Sequence, residues 1–307
     1  MQEGSRRAIV AAFLANLGIA IAKFVGFAIT GAASLLAEAL HSVADTGNQA
    51  LLFLGGARAR RRPTPEHPFG YGRERYFWAF VVALMLFSLG GLFAVYEGID
   101  KLLHPHQLES VAIALAVLSV AIVLESLSFR TAFVEAAAVK GEESWWSFIR
   151  RSKSPELPVV LLEDTGALLG LGLAFVGVSL AEVTGNPRWD AVGSIGIGIL
   201  LVVIAIVLAA EMKSLLIGES ATAQTESAIR AAIRDGPEVR RIIHLRTLHL
   251  GPDELLVAAK VELDSPSVPD LTRAIDTVEV RIRAAVPIAR LIYLEPDVYR
   301  SDAVVDR

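Results

Sequence analysis

The sequence of 307 residues contains no cysteine. It can therefore form no disulfide and offer no thiolate, so any metal ion must be held by nitrogen and oxygen ligands. The chain also lacks an excess of positive charge. Its formal net charge is −4, which argues against a large surface for nucleic acid.

What the sequence has in abundance is apolar residues, which make up 53% of the chain and give a mean hydropathy of +0.51. They collect in six runs, each long enough for a helix to cross about 30 Å of hydrocarbon. The runs cover about 8–30, 33–57, 76–102, 109–137, 157–183 and 189–212. We predict an all-α membrane domain of six transmembrane helices over residues 1–213.

After Lys213 the pattern becomes short and alternating. A helix is expected at 221–235, strands at 239–250 and 255–263, a helix from Ser267, and a last strand at 289–295. In the second strand, alternate residues are apolar, which indicates one buried face. Residues 214–307 are therefore predicted to form a ferredoxin-like α+β domain of order α-β-β-α-β.

Lysine and arginine are distributed unevenly between the two sides of the predicted membrane domain. They concentrate at Arg6 and Arg7, in the connection 58–75 and in the connection 140–153. The first run is too long for a signal peptide, so a retained helix is expected. The positive-inside rule then places both termini and the C-terminal domain in the cytoplasm, with the cell (inner) membrane as the expected location.

A polar stripe interrupts the second run. Its members are Ser34, Glu38, His41, Asp45 and Asn48. Their spacing of four, three, four and three residues places them on one face of a helix. His41 and Asp45 lie one turn apart, so an imidazole and a carboxylate can share one cation.

The fifth run also carries acids, Glu163 and Asp164. Acids on two spans, one with a histidine beside it, suggest a shared site for Zn²⁺ or a similar divalent ion. The alternative is a polar clamp between helices with no ligand. Lys23 is expected to pack or to reach the membrane surface, and Glu125 to lie near the headgroups.

The stretch "SLLAEALHSVADTGNQALLFLG", followed by "HPFGYGRERYFW", resembles the cation diffusion facilitator family of divalent-metal/proton antiporters. "VVLLEDTGALLG" and "LRTLHLGPDELLVAAKVEL" are most similar to the zinc transporter nine-like branch of that family. The resemblance covers about residues 8–297.

This resemblance implies a transport site made of two residues four apart on the second span and two on the fifth. His41, Asp45 and Asp164 match three of these positions, and Val160, which cannot ligate, stands at the fourth. Glu163 is rotated by ~100° from Asp164 around a helix. It completes the site only if the helix turns or is distorted, and otherwise a water fills the position.

The resemblance also implies a homodimer that exports a divalent cation, with zinc favoured, in exchange for protons by alternating access. The ion is cargo, so no cofactor is expected, and the protein is not expected to be an enzyme. Metal sites in the soluble domain are reduced here to His249, Glu295 and Asp297. The alternative function is a non-transporting membrane metal sensor or scaffold with a vestigial site.

Overall fold

The structure is a computed structural model that describes residues 3–108, 110–264 and 267–300, with side chains from Leu17 onward. The chain divides into two compact units. One consists of Met1–Gly56 and Phe77–Lys213, and the other of Ala57–Tyr76 and Ser214–Arg307. The expected start of the fourth run at residue 109 and the side chains of Arg6 and Arg7 lie outside the described residues.

The first unit is helical. Its elements are α1 (Glu3–Thr30), α2 (Ala33–Ala59), α3 (Glu74–Met85), a π-helical stretch (Leu86–Leu92), α4 (Phe93–Leu103), α5 (Val111–Lys140), α6 (Trp145–Arg151), α7 (Glu156–Thr184) and α8 (Arg188–Ile217). Helix α5 packs along α7, and α1 packs on α5. The short α6 is capped by Ser144, whose hydroxyl accepts a hydrogen bond from the backbone N–H of Ser147, and it buries Phe148 between α5 and α7.

Within the described residues, four helices are long and apolar enough to cross a membrane. They are Glu74–Leu103, Val111–Lys140, Glu156–Thr184 and Arg188–Ile217. Large apolar side chains on α5, such as Val120 and Val123, are 61% and 60% exposed, as lipid-facing residues are. The protein is therefore a multi-pass helical membrane protein.

The two other predicted spans correspond to α1 and α2. Among the residues whose side chains are described, α1 has a shorter apolar stretch, Leu17–Thr30. Helix α2 has the length of a span, but its polar stripe lowers its hydropathy. Composition alone thus supports four of the six predicted spans.

The second unit contains a mixed three-stranded sheet and two helices. They are α9 (Ala223–Arg234), β1 (Val239–Gly251), β2 (Glu254–Leu263), α10 (Val268–Ala285) and β3 (Ala289–Pro296). The strand order is β1-β2-β3, with β1 antiparallel and β3 parallel to β2. The parallel pair requires a crossover, which α10 supplies. The predicted order α-β-β-α-β is confirmed.

The core of this unit lies between the helices and one face of the sheet. The buried side chains of β2 are Leu255, Val257, Ala259 and Val261. They alternate along the strand as predicted, and they pack with Ile229 of α9 and Val278 of α10. Ser267 caps α10 by accepting a hydrogen bond from the backbone N–H of Asp270.

The connection between α2 and α3 belongs to the second unit, where it packs on the β1–β2 turn. Arg75 Nη1 lies 2.8 Å from Asp253 Oδ2. A Cβ added to Gly72 would lie 2.7 Å from the carbonyl oxygen of Leu250, so the two backbones meet without an intervening side chain.

Candidate metal centre

The polar stripe of α2 faces the protein interior. Its fully buried side chains are those of Ser34, Glu38, His41 and Asn48. Asp45 keeps 17% of its side chain exposed. A charged side chain turned toward hydrocarbon costs roughly 2.5–3.5 kcal/mol at the centre of a span. The stripe avoids that cost because it packs against the other helices of its unit.

A small cavity lies where α2, α5 and α7 meet. Its lining residues are Ser42, Asp45, Gln49, Glu125, Ser128, Val160, Glu163 and Asp164. The cavity volume is about 10 Å³, which is room for about one water molecule. Three of the four predicted ligands, Asp45, Glu163 and Asp164, therefore share one cavity, and Val160 at the non-ligating position lines it too.

His41 is close to Asp45 but is not bonded to it. Nε2 of His41 lies 3.5 Å from Oδ2 of Asp45, one helical turn away. That distance is beyond the usual range of a hydrogen bond. Neither ring nitrogen of His41 has a hydrogen-bond partner among the described residues. An imidazole with two unused nitrogens can bind a cation without losing an existing bond.

The two adjacent acids of α7 reach different helices. Oε1 of Glu163 accepts a 2.7 Å hydrogen bond from Nδ2 of Asn48 on α2. Oδ2 of Asp164 accepts one of 3.3 Å from the hydroxyl of Ser128 on α5. Helix α7 remains regular from Glu156 to Thr184. Glu163 thus lines the cavity although α7 is regular, so local distortion, one of the two ways expected to bring it there, is not needed.

The predicted ligands are gathered but do not converge on one point. Among the residues whose side chains the structure describes, no group of three histidine, aspartate or glutamate side chains stands close enough to hold an ion. Ligand atoms approach Zn²⁺ to about 2.0–2.2 Å. Loading one ion therefore requires these side chains to move toward each other.

Lys23 does not reach the membrane surface, as one of its sequence interpretations expected. Its side chain on α1 is fully buried. Nζ donates hydrogen bonds to Oε2 of Glu38, at 3.1 Å, and to the hydroxyl of Ser42, at 2.8 Å. The sequence signal for this pairing was one lysine in α1 and, in the neighbouring α2, the acid Glu38 without a lysine or arginine in the same apolar run.

Glu125, which was expected near the headgroups, lies midway along α5 and lines the cavity with Asp45 and Asp164. The sequence did not predict a role for a further buried acid, Asp190 at the start of α8. It accepts hydrogen bonds from the backbone N–H groups of Ala33 and Ser34, at 2.7 and 3.3 Å. It therefore caps the N-terminus of α2, which carries the stripe.

The three candidate metal ligands of the second unit already have other partners. Nδ1 of the buried His249 lies 3.3 Å from the carbonyl oxygen of Gly251. Nζ of Lys260 lies 3.0 Å from a carboxylate oxygen of Glu295 and 3.0 Å from one of Asp297. The hydrogen bond to Glu295, and then that to Asp297, raise the pKa of Lys260. A lysine ammonium thus lies between the two acids.

Comparison with known proteins gives a family match over residues 9–217, to the cation efflux transmembrane domain. The chain is 34% identical over 245 residues to the proton-coupled zinc antiporter SLC30A9, mitochondrial, of Homo sapiens. The match covers 79% of this chain and 43% of that relative. The chain thus spans less than half the length of this curated relative.

Two other relatives cover more of their own length. Metal tolerance protein C4 of Arabidopsis thaliana is 29% identical over 266 residues, 86% of this chain and 58% of the relative. Magnetosome protein MamB of Magnetospirillum gryphiswaldense is 25% identical over 285 residues, 92% of this chain and 90% of the relative. With the family match over residues 9–217, these likenesses show that the chain belongs to the cation efflux family, the cation diffusion facilitators.

Proposed function

We propose that the protein exports a divalent metal cation, zinc by preference, in exchange for protons. The observation that supports this most is the cavity between α2, α5 and α7, where Asp45, Glu163 and Asp164 meet within the helical unit. Intramembrane acids gathered at one cavity are typical of ion pathways. A relative named as a proton-coupled zinc antiporter points to the same activity.

The ligand set that we propose is His41, Asp45, Asp164 and Glu163. One imidazole nitrogen and carboxylate oxygens suit tetrahedral Zn²⁺ and related divalent ions. Glu163 supplies the ligand that Val160 cannot supply. Both residues line the cavity, and α7 needs no distortion to place the acid there. Asn48 holds the Glu163 carboxylate in place.

Coupling to protons follows from the chemistry of these ligands. Metal binding requires a neutral imidazole and ionised carboxylates, so protons and metal compete for the same atoms. A site exposed alternately to the two sides then carries metal one way and protons the other. Rocking of one helix group against another around the cavity provides the alternation.

The remaining features of the proposal concern topology and assembly. Helices α1 and α2 complete a set of six spans over residues 1–213, with both termini in the cytoplasm and the cell (inner) membrane as location. Residues 214–307 form a ferredoxin-like cytoplasmic domain that holds a homodimer together. The asymmetry of lysine and arginine supports the orientation. A non-transporting sensor is not favoured, because the names of two relatives describe a zinc antiporter and a metal tolerance protein.

The test is metal flux into proteoliposomes across a panel of Zn²⁺, Mn²⁺, Fe²⁺ and Co²⁺, with a pH gradient imposed and then removed. We expect zinc flux that depends on the gradient and that His41→Ala or Asp45→Ala abolishes. Ser119→Ala is the matched control, since the Ser119 hydroxyl bonds only within its own helix among the described contacts. Unchanged flux in both site variants would refute the assignment.

A further inference from the structure

Lys23 is the starting point, because a lysine inside a membrane unit is costly and rarely retained without a role. Its ammonium is fully buried between α1 and α2 and binds Glu38 and Ser42. Ser42 also lines the cavity proposed to hold the transported ion. A single residue, Ser42, therefore connects the lysine ammonium to that cavity.

Glu38, the partner of Lys23, uses only part of its bonding capacity. Oε2 binds the ammonium, whereas Oε1 has no hydrogen-bond partner among the described residues. Oε1 lies against Gly170 of α7, where an added Cβ would be 2.5 Å away. A fully buried carboxylate oxygen without a donor is unfavourable, so this atom has capacity for a cation.

Glu38 also lies on a definite side of the cavity. It precedes Asp45 by seven residues on α2, or about 10 Å along the helix axis at 1.5 Å per residue. The unbonded ring of His41 lies between them in sequence, one turn from each. In the orientation proposed above, the Ala33 end of α2 is the outer end, so an exported ion passes from Asp45 by His41 to Glu38.

We infer that Glu38 and Ser42, the two groups that hold the ammonium, form a second binding position for a divalent cation, on the outward side of the cavity. Until metal arrives, the ammonium of Lys23 occupies this position as a tethered cation, that is, a cation attached to the protein chain. Metal and ammonium exclude each other there because both are cations competing for one carboxylate. The inference rests on the proposed transport function, and it assigns Lys23 the role of pushing metal outward rather than of binding it.

The competing interpretation is a structural clamp, in which Lys23 and Glu38 only join α1 to α2. The two interpretations differ in what happens when the ammonium is removed but the carboxylate stays. A clamp that loses one partner only destabilises the protein. Removing a tethered cation leaves the Glu38 carboxylate and the Ser42 hydroxyl without their cation, and metal can then remain there.

The experiment counts zinc bound by the purified full chain at saturation. We expect one zinc per chain in the wild type, two in Lys23→Met, and one again in Lys23→Met with Glu38→Gln. Lys140→Met, which removes the Lys140 ammonium near Trp145, is the control and should bind one. A count of one in Lys23→Met, or of two in the double variant, would overturn the inference. A wild type that binds no zinc would instead refute the proposed function.

Glu38→Gln alone provides a second test if Lys23→Met does not fold. The amide keeps an oxygen for Lys23 but removes the charge that attracts metal. We expect zinc affinity of the cavity to stay within about twofold, while zinc flux falls about tenfold, because release and not binding is affected. Equal losses of affinity and flux, or unchanged flux, would contradict the inference.

Discussion

The side-chain amide of Asn48 on α2 donates a 2.7 Å hydrogen bond to Oε1 of Glu163 on α7. Both side chains are buried, and the two residues are 115 positions apart in sequence. This bond joins the helix that carries the polar stripe to the helix that carries the two acids. It fixes Glu163 at the cavity that Asp45 also lines.

Replacing Asn48 tests this connection. Asn48→Ala leaves the Glu163 carboxylate without its donor, and we expect a loss of about 1–2 kcal/mol in the free energy of unfolding together with weaker zinc binding. Thermal unfolding in detergent and equilibrium zinc binding measure the two effects. Ser119→Ala, which removes a hydroxyl from the surface of α5, should change neither. Wild-type zinc affinity in Asn48→Ala would show that Glu163 needs no positioning.

A second expectation concerns Asp190, which caps α2 and lies 3.7 Å from the Lys101 ammonium. Asp190→Ala removes the acid beside the buried Lys101 ammonium, which keeps its hydrogen bond to the carbonyl oxygen of Gly31, and it leaves two helix N–H groups without an acceptor. We expect it to lower the free energy of unfolding by about 3–5 kcal/mol. The exposed Asp100, paired with His104, is the control, and its replacement by alanine should cost about 0–1 kcal/mol. Equal losses of unfolding free energy in Asp190→Ala and Asp100→Ala, measured by thermal unfolding, would contradict the capping role.

Two glycines on α7 provide a matched pair. A Cβ at Gly170 would lie 2.5 Å from Oε1 of Glu38, whereas a Cβ at Gly172 would meet nothing within 4 Å. Gly170→Ala should therefore cost about 1–3 kcal/mol by overpacking and reduce zinc flux. Gly172→Ala should be neutral or stabilise the helix by up to about 1 kcal/mol. If both variants transport zinc like the wild type, close packing on Glu38 is not needed.

Acid should weaken the start of α10. The hydroxyl of Ser267, and then Arg273, lower the pKa of Asp270 below its ordinary value. Because the folded-state pKa is lowered, the stabilisation is complete above the unfolded value of about 3.9 and is lost as pH falls through the folded value. Hydrogen exchange of the α10 amides should thus lose protection in acid in the wild type and depend less on pH in Asp270→Asn. Asp276→Asn, exposed on the same helix, should follow the wild type.

Much of the fold was accessible from the sequence because local patterns determine it. Alternation along β2 placed Leu255 and Val257 on the buried face, and Ser267 marked the start of α10. The stripe on α2 was accessible as well, since helical spacing alone puts His41 and Asp45 on one face. These features depend on residues that are close in sequence, so a single sequence is enough to predict them.

The rest depends on how the helices rotate against each other, and spacing along one helix does not contain that rotation. The sequence therefore left open whether Glu163 or a water completes the site, and whether Lys23 packs inside the protein or reaches the membrane surface. The π-helical stretch Leu86–Leu92 also had no sequence signal. It lies near the stripe, since a Cβ at Gly90 would be 4.0 Å from Nδ1 of His41.

X-ray absorption at the zinc edge of the zinc-loaded chain tests the central claim most directly, namely that His41 and the cavity carboxylates hold the transported ion. We expect a shell of nitrogen and oxygen at about 2.0–2.2 Å with one imidazole in the wild type, and loss of the imidazole signal in His41→Ala. The chain contains six histidines, so the variant identifies the one that binds. An imidazole signal of full strength in His41→Ala would contradict the account.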